Sequence, residues 1–585
     1  MRRLWVFTSG AARLIAASLA LASPAWAQER VPDSVPSREQ IQPPTPEPDP
    51  AARSRVRIDS GRATATPPCP FDTSTVQVDL RTVRFVSSDG RPLPARVLRE
   101  LAGVAVAHPG EQPVAIVCHI RDAATSALRR AGFIASVQVP PQEITGGELA
   151  LAIVLARIVE VRVRGEPGHY RRTLLERIAQ LKALDPLDEH EAERILLLAG
   201  DIPGLDVQLA LRPAGTAPGA VIGDLTIVRR RFALLGNVQN YGSKQIGRTT
   251  AYARGEIYGL LTASDLAYVG ASTTPRSHEQ KVGQIGYITG LGSDGATVGV
   301  RANYAFSRPE LEQLDLRSRS VIGGIDLTVP IVRAVSHNVT LGGGAELIEQ
   351  RTRIYGGGIS TPLNRDKLRI AFLRGSANLR QRRSDGTDIY ALGASIEVRR
   401  GLGILGATPR GTDGSDGGYT SSRFGADPQA WVVRGTFDGT VHAGPVSLAE
   451  GMRGQWANHP LLNFEEFSIG NLSIGRGYDP GSNSADRAIG VQNELRVDLP
   501  LLRALPIQIF GFGDIVWLRN LDMNTTEGHR RLRSAGGGAR VVLPGRLLFE
   551  ITYAHPFDRA LSFDDRPPPA RLLASLTAQF APQIR

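Results

Sequence analysis

Beyond its first segment the sequence lacks any run of about 20 consecutive apolar residues, the length a transmembrane helix needs. Apolar residues still reach 42% and aromatics only 6%, a balance too polar for a helical membrane protein. If the chain sits in a membrane, it must cross as a closed β-barrel, because only helices and barrels satisfy their backbone groups there. Catalytic signatures are missing as well. His190-Glu191 lacks the second histidine of a zinc-protease helix, Gly342-Gly343-Gly344 lacks the Lys and Ser/Thr of a phosphate loop, and no Gly-x-Ser-x-Gly elbow occurs. The ten histidines show no metal-ligand spacing. No catalysis, metal or cofactor is therefore expected. The formal net charge is +11, but the arginines are scattered and form no basic run, so nucleic acid is not an expected partner. Cysteine is nearly absent, with Cys69 and Cys118 alone.

What is present begins with a leader. Arg2 and Arg3 precede a short apolar stretch from Ala11 to Ala22, and Ala25-Trp26-Ala27 is a small-x-small cleavage pattern. These three parts make residues 1–27 a secretory signal peptide, too short to span as an anchor. The mature chain thus reaches an oxidising compartment, where an even cysteine count predicts one disulfide, Cys69–Cys118, the alternative being two buried thiols. Residues 28–70 read as a tail and linker, since Pro-Pro-Thr-Pro-Glu-Pro-Asp-Pro at 43–50 holds neither helix nor central strand. A short helix fits near Ser37 to Gln42.

Residues 71–230 are mixed α+β. Val76 to Leu80 alternates as a strand, Ala95–Ala105 and Ile120–Ala131 read as helices, Gly132 ends the second, and Phe133–Val139 and Glu148–Val154 read as strands. The order recurs with a strand at Ile158–Arg164, helices at Thr173–Leu181 and Glu189–Leu198, and strands at Val207–Leu211 and Gly223–Val228. Two such repeats make two modules in series, 71–157 and 158–230. Each closes on a strand, and the edges of such small sheets accept extended peptides. Arg162, Arg164, Arg171 and Arg172 cluster at the start of the second module, where they either steer an acidic or polar segment or form a solvated face.

From residue 231 to 585 two-residue periodicity takes over, as in Val298, Val300, Ala302, Tyr304 and Phe306, or Leu572, Ala574, Leu576, Ala578 and Phe580. Apolar residues alternate with charge or glycine. A sandwich shares this period, but roughly 355 residues at about 22 per strand and connection give about sixteen strands, which fits a transmembrane barrel.

Five short segments carry function. Phe467-Ser468-Ile469-Gly470 leads to Gly475-Arg476-Gly477-Tyr478, then Asp486-Arg487 and Asn493-Glu494-Leu495-Arg496, and later Phe512-Gly513-Asp514-Ile515-Val516. By strand parity Asp514 and Phe512 share one face and Trp517 the other. Together with Cys69-Pro70-Phe71 and Gly132-Phe133 running to Pro140-Pro141-Gln142, these motifs resemble the outer-membrane transporters of two-partner secretion, the TpsB proteins of haemolysin secretion/activation, in the superfamily that includes the barrel-assembly proteins. The resemblance spans nearly all of the mature chain. It implies a 16-stranded antiparallel transmembrane barrel behind two periplasmic POTRA modules, in the outer membrane. It also implies a loop folded into the lumen, whose tip Val-Arg-Gly-Tyr/Phe pairs through its Arg with the Asp of Phe-x-Asp-x-Gly. Here Gly475 replaces the Val and Val516 the last Gly. Arg476 is thus expected to meet Asp514.

The implied partners are a large secreted exoprotein such as an adhesin or haemolysin, outer-membrane lipid, and the barrel-assembly machinery that inserts the chain, for which Phe580 serves as the terminal aromatic. An assembly factor or insertase for other barrels is the alternative, disfavoured because such proteins more often carry three or five POTRA modules. A plain porin lacks the soluble arm.

Overall fold

The structure, a computed structural model, describes residues 36–42, 58–59, 68–275, 279–311, 314–356, 358–383, 385–410, 419–502, 505–522 and 525–583. The expected signal peptide and most of the expected tail lie outside the described residues. The chain enters with a helical turn, α1 (Arg38–Ile41), and a two-residue strand, β1 (Ile58–Asp59).

The first sheet region follows as β2 (Gln77–Leu80), β3 (Thr82–Ser87), α2 (Ala95–Leu101), β4 (Gly110–Pro113), α3 (Ile116–Arg130), β5 (Ala135–Gln138) and β6 (Glu148–Leu155). The alternating stretch from Val76 is not the strand that builds the main sheet. It forms β2, which pairs with β4 to one side, and the sheet order is β3-β6-β5. The reason is burial. Leu149, Leu151 and Ile153 of β6 are fully buried, and Val83 and Phe85 of β3 pack on the same core, so β3 supplies the parallel neighbour. Gly132 takes φ 87° just beyond α3, a conformation that favours glycine at a helix end.

The second region is β7 (Arg157–Arg164), α4 (Arg171–Lys182), α5 (Glu189–Gly200), β8 (Leu205–Pro213) and β9 (Ala220–Arg229), with sheet order β1-β8-β9-β7. Leu174, Leu181, Leu196 and Leu209 fill its core, and Asp188 caps α5 through the N–H of His190. In both modules the closing strand, β6 or β9, is central. The outer strands are β3 and β5 in the first and β7 in the second, while β8 pairs with β1 through Ile58 opposite Leu209. The arginine cluster is largely neutralised within its own module: Arg162 pairs with Glu160, Arg164 with Asp224 and Arg172 with Glu176.

The second module rests on the periplasmic turns of the barrel. Arg333 grips Asp201 at 2.6 and 2.7 Å, Arg177 donates to the Ser293 carbonyl at 2.6 Å, and His169 lies against Gly259. Burial beside Arg229 and Arg231 pushes the His169 imidazole below its usual pKa, which disfavours its charged form at this joint.

Sixteen strands close the barrel. They are β10 (Phe232–Gln239), β11 (Thr250–Tyr258), β12 (Asp265–Thr273), β13 (Gln280–Leu291), β14 (Ala296–Ser307), β15 (Asp315–Arg333), β16 (His337–Gly356) and β17 (Ile359–Arg382). They continue with β18 (Asp388–Gly401), β19 (Trp431–Ala443) and β20 (Val446–Ala457). A hairpin, β21 (Phe467–Ser468) with β22 (Ser484–Ala485), precedes β23 (Arg487–Leu502), β24 (Leu505–Arg519), β25 (His529–Leu543), β26 (Leu547–Pro556) and β27 (Arg571–Phe580). All neighbours are antiparallel, and β27 closes on β10 from Leu234–Phe580 to Gln239–Ser575. Parity decides between barrel and sandwich. Val321, Leu347, Leu373, Ile396 and Trp517 stand exposed on the outer wall, while Gln350, Glu397 and Asp514 are buried inside. Apolar residues face lipid and polar ones face the lumen.

Cys69 and Cys118 are bonded across 49 positions, tying the front of the arm to the first turn of α3. Closing a loop of about 50 residues stabilises by roughly 3–4 kcal/mol in the loop-entropy model. Reduction and alkylation are expected to shift the arm's urea transition by that amount while the barrel keeps its heat-resistant gel mobility. An unmoved arm transition would mean the bridge adds no stability.

Candidate functional site

Between β20 and β23 the chain leaves the wall and returns through the β21–β22 hairpin, and its tip reaches the lumen. Arg476 meets Asp514 there. Its backbone N–H donates to Oδ2 at 2.8 Å, Nη2 to Oδ1 at 2.8 Å and Nε to Oδ2 at 3.2 Å. Nη1 turns to Glu494 at 2.5 Å, and the guanidinium lies 3.7 Å from the centre of the Phe512 ring. One cation thus spans β23 and β24. The Asp514 side chain is wholly buried, so removing Arg476 strands charges that water cannot reach.

The motif's other residues explain how the tip sits so close. A Cβ on Gly477 would come within 2.7 Å of Ser534 and 3.0 Å of the Pro556 nitrogen, so only glycine fits against the wall. Tyr478 is buried; its hydroxyl donates to the Arg533 carbonyl at 2.9 Å and accepts from the Asp558 N–H at 3.2 Å. The two departures from the family pattern face each other. Gly475 adopts φ 95°, which disfavours the family's valine, and its Cβ direction points at Val516, 3.9 Å away. The bulk missing from the tip is supplied by the strand, where Val516 is fully buried with Ile474 and Tyr478.

Sequence reasoning quoted Glu494 without a role, and missed Arg540, which pairs with Glu494 and with Glu550 at 2.6 Å. It also missed a second charged cluster elsewhere on the wall. Arg399 is almost wholly buried and reaches Glu346, Glu397 and Glu465, the last from the folded-in loop. Arg301 and Arg434 add further cations. The single turn α1 docks here. Ser37 and Gln40 form a reciprocal cap, Arg38 pairs with Glu465 at 3.1 Å and Glu346 at 3.2 Å, and Ile41 is fully buried among Ile348, Leu368, Leu462 and Phe464. α1 therefore lies in the lumen, held between the barrel wall and the folded-in loop. Strand parity put Glu346 and Glu397 on the polar face of their strands; which of those residues meet depends on register across five or more strands.

A closed antiparallel barrel with a lumen loop and an α+β arm of three small sheets defines the class, which the family match makes an outer-membrane transporter of the POTRA-barrel superfamily. The chain belongs to the haemolysin secretion/activation protein ShlB/FhaC/HecB family, whose profile matches residues 227–541. It is 22% identical over 459 residues to the Heme/hemopexin transporter protein HuxB of Haemophilus influenzae, covering 74% of this chain and 76% of that one. In fold it is similar to CdiB from Escherichia coli, with a TM-score of 0.64 at 17% identity over 90% of this chain and 94% of that one. It is likewise similar to CdiB from Acinetobacter baumannii, with a TM-score of 0.57 at 16% identity over 89% and 95%. The chain is a two-partner secretion transporter of the outer membrane, its POTRA modules in the periplasm and its cargo a secreted partner exoprotein.

Two outcomes follow from this geometry. Arg476→Ala is expected to abolish most secretion while the protein still migrates as a folded barrel; wild-type secretion would remove the clasp from the mechanism. Arg38→Glu places like charges beside Glu346 and Glu465 and is expected to expel α1, raising single-channel conductance in planar bilayers. Unchanged conductance would show that α1 blocks no current.

Proposed function

We propose that the resting transporter is closed twice, by the clasp of Arg476 on Asp514 and Glu494 and by α1, and that the partner exoprotein opens it from the periplasm. The observation that carries this reading is the bridging geometry of Arg476, which fastens the folded-in loop to two wall strands at once. The segments act as residues 71–157 and 158–230 for recognition and 231–585 for passage. The arm takes the client by strand addition, at the outer strands β3, β5 or β7, since β8 already holds β1. Backbone pairing supplies affinity, and side chains beside the edge supply selectivity.

The chain transports without catalysis; folding of the exported protein outside gives the direction. Phe580, opposite Leu234 at the closing seam, serves as the aromatic terminus read by the barrel-assembly machinery. An adhesin or haemolysin is the expected cargo, and the HuxB likeness brings a haem-handling exoprotein within the class. Assembly of other barrels is the weaker alternative.

The test uses residues 71–230 and the amino-terminal part of the exoprotein encoded nearby. Binding at micromolar affinity or tighter is expected, weakened by a proline at Val163, an exposed position of β7. Secretion that survives deletion of the arm would refute recognition by these modules.

A further inference from the structure

On the outer wall, four neighbouring strands end their lipid-facing band in the same way. Outward residues run apolar along each strand, through Ile325 on β15, Leu347 on β16, Leu373 on β17 and Val398 on β18. Toward the extracellular side the next outward charges are Arg319, Arg351 beyond Glu349, Arg369 and Arg400. Trp431 marks the height of Arg400. It stands directly opposite Arg400 on β19 and 45% exposed, and exposed tryptophans of such barrels mark the membrane interface. The Arg400 guanidinium covers its ring at 4.9 Å.

Register makes this belt unusual. Arg319 lies directly opposite Arg351, and Arg351 directly opposite Arg365. Cβ atoms of such pairs are about 5 Å apart, and like charges so placed repel. Glu349 holds Arg365 at 2.5 Å. Arg319 and Arg351 meet no carboxylate among the described residues. The Arg369 guanidinium is held in place by the carbonyls of Ile348, Leu368 and Leu405, at 2.9 to 3.2 Å. It is thus positioned without its charge being matched.

Guanidinium groups at the end of an aliphatic, lipid-facing band match phosphate in charge and in geometry. We infer that this face of β15–β18 binds a phosphorylated lipid of the outer leaflet, its acyl chains along the aliphatic band and its phosphates between Arg319, Arg351 and Arg369. The two sources of such chemistry differ in one respect. A lipid is held by both chains and phosphates, a free anion by phosphate alone. These side chains point away from the lumen, so an acidic cargo segment in transit does not meet them.

The test takes the full-length protein in detergent micelles and adds bisphosphoryl lipid A, with native mass spectrometry as the readout. Wild-type protein is expected to retain lipid A, and monophosphoryl lipid A less well. Arg319→Gln with Arg351→Gln is expected to weaken retention by about fivefold for each charge removed. Arg319→Lys with Arg351→Lys is expected to keep most of it. Heat-modified gel mobility reports folding, and Arg351→Gln alone serves if the double variant misfolds. Equal retention by wild type and the glutamine variant overturns the inference. Displacement of lipid A by millimolar inorganic phosphate also overturns it, since the site would then take a free anion.

Discussion

In the hydrocarbon of a bilayer a peptide group has no water to bond, and each unpaired N–H or C=O costs several kcal/mol. The architecture follows from that constraint. Sixteen strands must close, so β27 returns to β10 and leaves no edge in lipid. Closure in turn fixes two faces. Outward positions carry Val321, Leu373 or Ile396, and inward positions collect the charge that lipid would reject, such as Arg399, Glu346 and Asp514.

A polar lumen would be a permanent hole, and the chain fills it with its own charged segments. The folded-in loop brings Arg476 to carboxylates on β23 and β24 and Glu465 to Arg399, and α1 adds Arg38 to Glu465 and Glu346. Buried ion pairs bring little net stability compared with apolar packing, but breaking one by removing a partner is costly. They are therefore suited to hold a segment that must be held firmly and exchanged as a unit. The turn-side contacts Asp201–Arg333 and Arg177–Ser293 fix the second module beneath this opening, so a client bound to the arm lies close to the lumen.

Much of this was legible from residues alone. The period-two runs after residue 231, the lack of long apolar runs and the two β-α-α-β-β repeats defined barrel and arm. Gly475-Arg476-Gly477-Tyr478 and Phe512-x-Asp514 stood out through their resemblance to the loop and strand motifs of the two-partner secretion transporters; the close wall approach of Gly477 and the burial of Asp514 are visible only in the fold. The main-sheet strand of the first module was passed over. Val76–Leu80 alternates more cleanly than Thr82–Ser87, yet β3 wins its place by packing Val83 and Phe85 on the core beside β6.

Local pattern determined which face each residue takes, because side-chain direction along a strand alternates with every residue and needs no partner. It also raised the expectation of one disulfide between two lone cysteines, whereas the Arg476–Asp514 pair was expected only from the resemblance of its motifs to a known family. Register was beyond it. That Glu494 shares Arg476 with Asp514, that Gly475 and Val516 exchange bulk, and that Arg38 reaches Glu346 across more than 300 positions depend on which strand lies beside which and at what offset. Only closure of the whole sheet fixes those offsets, since each strand's register is set by its neighbours around the ring.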